Sequence, residues 1–288
     1  MWSWWIGRFP RIPRKSSRID RLTGRDEEAG PWSGFFAFRA MSSPDIFFFT
    51  DFGVQGPYLG LMEAAVANVC AGVRVVNLMC DAPRHDPRRA AYLLAALEAW
   101  LPTEAIVVAV VDPGVGSDRG MLALEADDRW FLGPDNGLLS RVGRSARNRR
   151  LWVLEAEPDA RLSASFHGRD VFAPAAARLA CGNKPRLKPR QRTAIVGQDW
   201  PDSLPEVLYI DHFGNAMTGI SPADLPPSGT LVVNGRKLTR VRTFSDVAPG
   251  EPLCYENSLG LLEIAVNGGS AAAALGLRIG SCVSLFPG

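Results

Sequence analysis

The sequence is short of the residues that most often build metal and redox sites. It has three histidines, His85, His167 and His212. None stands in HxH or HxxxH spacing, which argues against a histidine-based zinc site. Its five cysteines, Cys70, Cys80, Cys181, Cys254 and Cys282, form no CxxC pair and are odd in number. That pattern reads as reduced, mostly buried thiols of a cytosolic protein. Glycine is plentiful, yet "GVGSDRG" fits neither GxGxxG nor GxxxxGK[ST], so no phosphate cradle is written here. There is no GxSxG elbow, no internal repeat and no apolar run long enough to cross a bilayer. An excess of positive charge is also missing. Lys and Arg number 32 against 30 Asp and Glu, and eight of those cations lie in the first forty residues beside four acids. The rest of the chain is therefore net negative and presents no basic surface for nucleic acid. Chemistry here has to proceed without a metal or a cofactor.

What is present falls into three parts. Residues 1–40 mix tryptophan, proline and arginine with no sustained period. They read as a disordered or untranslated extension, with Met41 as the alternative start, or as an arm suited to a membrane interface; the extension is preferred because fold signals begin at Ile46. Residues 41–190 alternate strand and helix. "DIFFFT" is an apolar strand, Pro57 opens the helix "YLGLMEAAVANVCAG", and "VRVVNL" is the next strand. Asp86-Pro87 caps the helix "RRAAYLLAALEAW", and "AIVVAVV" is a third strand. Such alternation predicts an α/β layered domain. Two strand-like runs flank Asp127-Asp128, a hairpin signal, and "SFHGRDVFAPAAARLACG" leads into another helix. From Asn183 the text turns basic and proline-bearing without period, and a linker is placed at 191–204. Residues 205–288 are β-rich, with a type I′ hairpin signal at Asn234-Gly235.

The polar residues gather at turns: Asp51 in "TDFG", Asp112 and Arg119 in "VVDPGVGSDRG", Asp135 and Asn136 in "GPDNG", and His167 in "FHGRD". Asp211 and Asn215 follow in "DHFGN", and Asn257-Ser258 in "ENSLG". Taken one at a time, each is explained by turn geometry or a local ion pair. The ordered set is more specific. "TDFGVQGPYLG", "VVDPGVGSDRG", "GPDNGLL", "FHGRDVFAP", "DHFGNAMT" and "NSLGLLEIAVNGG" together resemble the S-adenosyl-L-methionine hydroxide adenosyltransferase family. Its members are hydrolases of S-adenosylmethionine related to fluorinating and chlorinating enzymes.

The resemblance covers about Asp45 to Gly288 and implies an α/β domain, a C-terminal β-barrel, and a cytoplasmic homotrimer with sites between subunits. It implies no nucleic-acid or membrane partner. Asp112, Arg119 and His167 match the family's water-activating set, and Asp51 the carboxylate that grips the ribose hydroxyls. Asp211 and Asn215 match the residues holding the methionine amino and carboxylate groups, and Ser258 a further methionine contact. Phe213 would pack on the base, with Ala265, Val266, Asn267 and Gly268 forming an adenine edge. One position departs: Gly56 stands where the family often has Asp, which removes a polar contact near the ribose.

The chemistry suits these residue types. A sulfonium leaves as a neutral thioether, so no general acid is needed; the difficulty is the nucleophile. Arg119 can stabilise developing hydroxide, His167 can accept a proton near neutrality, and Asp112 can orient either. The alternatives are a halogenase on the same scaffold, or a binding module that senses S-adenosylmethionine without turning it over.

Overall fold

The computed structural model describes residues 43–288, apart from 159–160, 191–194, 227 and 287–288. The expected extension over residues 1–40 and the first part of the expected linker lie outside the described residues.

Two seven-stranded sheets carry the fold. The first contains β1 (Ile46–Thr50), β2 (Val75–Met79), β3 (Ile106–Val110), β4 (Met121–Ala126), β5 (Arg129–Pro134), β6 (Arg149–Leu154) and β7 (Leu187–Arg190). Their order is β2-β1-β3-β5-β4-β6-β7, with β2, β1, β3 and β5 parallel and the rest added antiparallel. Helices α1 (Tyr58–Val69), α2 (Pro87–Glu98) and α3 (Ala173–Ala180) cover it. The two-residue period of the strands divides the core. Ile46 and Phe48 of β1 face α1 and α3, packing with Met62, Val66 and Ala176. Phe47 and Phe49 face the other side, with Leu93 and Leu94 of α2. Burying each such side chain stabilises the fold by about 1.5–3 kcal/mol. Both expected helix starts are present: Pro57 precedes α1, and the Asp86 side chain accepts from the Arg89 N–H at 3.0 Å ahead of Pro87.

The second sheet contains β8 (Leu204–Ile210), β9 (Ala216–Gly219), β10 (Thr230–Val233), β11 (Arg236–Arg240), β12 (Pro252–Glu256), β13 (Leu262–Val266) and β14 (Ser284–Phe286). Its order is β14-β10-β11-β12-β13-β9-β8, and a short helix α4 (Ala271–Leu275) packs beside β13. Its two edges approach one another. Val207 N–H donates to the Ser281 carbonyl at 2.9 Å, and Glu206 bridges to Cys282. The β10–β11 turn has positive φ at both Asn234 (47°) and Gly235 (75°), the geometry a type I′ hairpin requires. Leu204 and Leu208 of β8 join α2 in the core of the first sheet, so α2 has a sheet on each side.

The thiol reading needs correction. Cys70 and Cys181 form a disulfide, with Cα atoms 6.0 Å apart across 111 residues of sequence. Cys70 caps the end of α1 and Cys181 the end of α3, and the two helices lie side by side. A pairing made by helix packing leaves no trace in cysteine spacing. Cys80, Cys254 and Cys282 are free.

Candidate active site

Strands β1 and β3 are adjacent and parallel, while the chain leaves β1 toward β2 on one side before returning to β3 on the other. The C-terminal ends of two such strands open a crevice, the usual place for a ligand in an open α/β sheet. Asp51 follows β1 and Asp112 follows β3. Both line a cavity of about 260 Å³, together with His167, His85 and the rings of Phe52, Tyr58 and Phe166.

Asp112 and Arg119 form a nearly closed pair, their side chains 4% and 8% exposed. Arg119 Nε lies 3.0 Å from both Asp112 oxygens, and Nη2 donates to Oδ2 as well. The same Nη2 lies 3.0 Å from His167 Nδ1. Arginine has only donors, so this contact makes Nδ1 an acceptor. Burial, and next the Arg119 charge, hold the pKa of His167 below the ordinary histidine value, against the opposing pull of Asp112 and Asp170.

His167 rides on a shaped loop. The Ser163 N–H donates to Asp170 Oδ2 at 2.7 Å, and Gly168–Phe172 form one π-helical turn ahead of α3. Such turns mark functional sites more often than chance. Across the cavity, Gly116 has φ 83°, and a Cβ there would run into the Ala164 carbonyl. Asp51 Oδ2 accepts the His85 N–H at 3.0 Å, with His85 itself at φ 54°. Phe52, Tyr58 and Phe166 pack edge to face or tilted, with centroids 5.5–5.8 Å apart.

The remaining expected residues lie elsewhere on the chain. Asp211, Phe213, Asn215, Ser258, Val266 and Gly268 line a second cavity, of about 770 Å³, in the β-rich half. Asp211 accepts from the N–H groups of Phe213 (2.9 Å) and Asn215 (2.8 Å) and from Asn215 Nδ2 (3.0 Å). Ala265 is fully buried in β13, and the Asn267 side chain turns away to donate to the Val247 carbonyl at 2.9 Å. Among the described residues, none lines both cavities. A single chain therefore brings Asp51, Asp112, Arg119 and His167 together but does not unite them with Asp211 and Asn215.

Several lining residues escaped the sequence reading. His85 owes its place to a left-handed turn that the letters do not announce. Glu263, with Tyr255 beside it, did leave a signal: it is the one acid in the apolar strand "LEIAV". Among the described residues, no three His, Cys, Asp or Glu side chains gather as a metal site would require. Nor is any helix there long and apolar enough to cross a membrane.

Comparison with known proteins identifies the family. The family model for the SAM hydroxide adenosyltransferase N-terminal domain matches residues 46–187, and that for the C-terminal domain matches residues 205–284. The chain belongs to this family. A relative from Thermus thermophilus, named (R)-S-adenosyl-L-methionine hydrolase, is 42% identical over 84% of this chain and 99% of its own. One of the same name from Salinispora arenicola is 40% identical over 86% and 99%. A fluorinase from an Actinoplanes species is a more distant family relation, at 24% identity over 85% and 98%. Among solved structures, an uncharacterised conserved protein from Thermotoga maritima superposes with a TM-score of 0.71 at 27% identity, covering 84% of this chain and 99% of that one.

Proposed function

We propose that this protein hydrolyses S-adenosyl-L-methionine to adenosine and L-methionine, and that its two cavities are halves of one site completed between subunits. The observation that carries the reading is the Asp112–Arg119–His167 chain at the tips of β1 and β3, in a family member about 40% identical to proteins named for this reaction. A halogenase has no use for a water-binding constellation, and the fluorinase is the more distant relation.

The reaction joins a water-derived oxygen to the ribose C5′ as the C5′–S bond breaks. The bonding pair goes to sulfur, which leaves as a thioether, and one proton is released to solvent. In this geometry His167 is a donor. With Nδ1 accepting from Arg119, the neutral ring holds its proton at Nε2. The proton-accepting role first expected of it gives way to that of a hydrogen-bond donor to the nucleophile. The Arg119 charge, held in place by Asp112, and this Nε2–H favour hydroxide over water in the cavity. Hydroxide and sulfonium then neutralise one another, a change that a dry, preorganised pocket favours. No step calls for a metal or a cofactor.

The halves need each other. Phe213 stands 74% exposed at the rim of the larger cavity, and Tyr58 50% and Val54 81% at or beside the smaller. Apolar rims of this kind suit a contact between copies of the chain. A homotrimer, with the β-rich sheet closed as a small barrel, would seat the ribose at Asp51 and the methionine at Asp211 and Asn215 of a neighbour. The relatives' name adds stereochemistry: since L fixes the amino-acid carbon, R describes the sulfur. We read the substrate as the R sulfonium form. Incubation with S-adenosylmethionine in oxygen-18 water tests the reaction, with label expected in the adenosine 5′-hydroxyl. Label in methionine, or no adenosine, would refute it.

A further inference from the structure

No side chain of the turn "GPDNG" lines either cavity, yet the turn touches the loop that carries Asp112 and Arg119 at both of its ends. It closes β5, which lies between β3 and β4 in the sheet. On the β4 side, the Asp135 N–H donates to the Gly120 carbonyl at 2.9 Å. Successive N–H groups of a strand point to opposite neighbours, so the nitrogen of Pro134 faces β3. A proline has no hydrogen to give there. The Asn136 side chain supplies the donor instead, its Nδ2 giving to the Val111 carbonyl at 2.8 Å.

Val111 directly precedes Asp112, and Gly120 directly follows Arg119. Two consecutive residues of the turn therefore fix the two ends of the loop from outside. Asn136 also does more than a turn needs. Its Oδ1 accepts the Leu138 N–H at 3.2 Å, the local bond that favours Asn and Asp alike in turns. An aspartate would serve as well for that. Only the amide nitrogen reaches across to β3, and with Oδ1 on an N–H its orientation is fixed. Beside it, the Asp135 carboxylate accepts from Arg190 Nη1 (2.7 Å) and from the Val196 N–H (3.1 Å), which anchors the far side of the turn.

We propose that Asn136 is a positioning residue, whose side-chain amide clamps the Val111 carbonyl and so sets Asp112 against Arg119, and Arg119 against His167. The inference rests on the hydrolase reading above and deepens it. Val111 is fully buried, so its carbonyl has no water to turn to when the amide is lost. A shift of that peptide moves the Asp112 carboxylate, and the guanidinium bound to both of its oxygens moves with it. His167 Nδ1, 3.0 Å from Arg119 Nη2, then loses the donor that keeps its proton at Nε2.

Two variants test the clamp. Asn136→Asp has the same shape and keeps the Leu138 bond, but sets a carboxylate oxygen against the Val111 carbonyl. Asn136→Ser also keeps a local turn bond, with a hydroxyl that stops short of β3. In both, kcat for S-adenosylmethionine should fall about ten- to hundredfold, the scale of a misplacement of about 1 Å in a reacting constellation. KM should stay within about twofold, because neither Asp51 nor the cavity of the β-rich half is touched. Nitrogen-15 spectra of the ligand-free variants should show His167 released from a single Nε2–H form into a mixture of both tautomers.

Near-normal kcat in either variant, or His167 still wholly Nε2–H, would overturn the proposal. So would a rise in KM as large as the fall in kcat. Where the aspartate variant does not fold, the serine variant and its spectrum decide. Wild-type protein that forms no adenosine would refute the hydrolase reading instead; the imidazole spectra need no turnover and would still decide for or against the clamp.

Discussion

Arg119 Nη2 lies 3.0 Å from His167 Nδ1, and that contact decides where the imidazole keeps its proton. A guanidinium cannot accept, so the neutral ring is the Nε2–H tautomer. Nitrogen-15 NMR of the histidine rings at pH 7 should show His167 in that form. Protonation would turn Nδ1 into a donor facing Arg119, placing two cations against each other. Since the pKa of His167 is held below 6.5, activity should persist through neutrality and fall only as pH drops through that lowered value. An Nδ1–H signal at pH 7 would contradict the assignment.

Arg119→Lys should then be far from conservative. A lysine ammonium is a compact point charge without a planar fork, whereas the guanidinium spans both Asp112 oxygens and His167 Nδ1. The loss expected is about 10²–10³ in kcat, the range for removing one preorganised donor from a reacting oxygen. Steady-state kinetics with KM measured alongside would show it; a variant retaining near-normal kcat would not fit.

Much of this site is legible as letters. Asp51 and Asp112 announce themselves as acids ending apolar strands, and the strand–helix alternation places them at the same edge of a sheet. The Asp86-Pro87 and Asn234-Gly235 signals are local, so backbone chemistry alone decides them. What stays hidden depends on tertiary packing. β7 uses "LKPR", with Pro189 tolerated because the strand lies at the sheet edge, and nothing periodic marks it. The left-handed turn at His85, the aromatic cluster around Phe166 and the Cys70–Cys181 pairing arise from elements meeting across the fold.

The disulfide carries its own prediction. It ties the ends of α1 and α3, whose other ends bear Tyr58 and the His167 loop. Replacing both Cys70 and Cys181 by alanine should lower unfolding stability by about 2–4 kcal/mol, chiefly by freeing the unfolded chain. Denaturant titration reads the loss, and mass spectrometry before and after reduction reads the bond. Equal stability of oxidised and reduced protein would count against it.

Stereochemistry and metal dependence are separable in one assay. A substrate anchored at both ends, in two cavities, is selected by the configuration at the sulfur between them. The R form, as proposed from the relatives' name, should be the one consumed in preference, and EDTA should leave the rate unchanged. Preference for the S form would remove the stereochemical reading, and loss of activity in EDTA restored by a divalent ion would remove the metal-free one.

The sharing of sites between subunits can be tested with two inactive proteins. Arg119→Met disables the half at the tips of β1 and β3, and Asp211→Asn weakens the half in the β-rich sheet. If each site draws one half from each of two neighbouring chains, subunit exchange between the variants rebuilds some sites from two intact halves. With random mixing in equal amounts, about a quarter of the sites in a closed ring should be native in both halves. Activity should then recover toward that fraction, having been far lower in either variant alone. Light scattering on the wild type should report three chains per particle. If the exchanged mixture stayed as inactive as its components, with exchange shown by a tag on one variant, each site would have to lie within one chain. The two cavities would then need to meet by movement within a single chain.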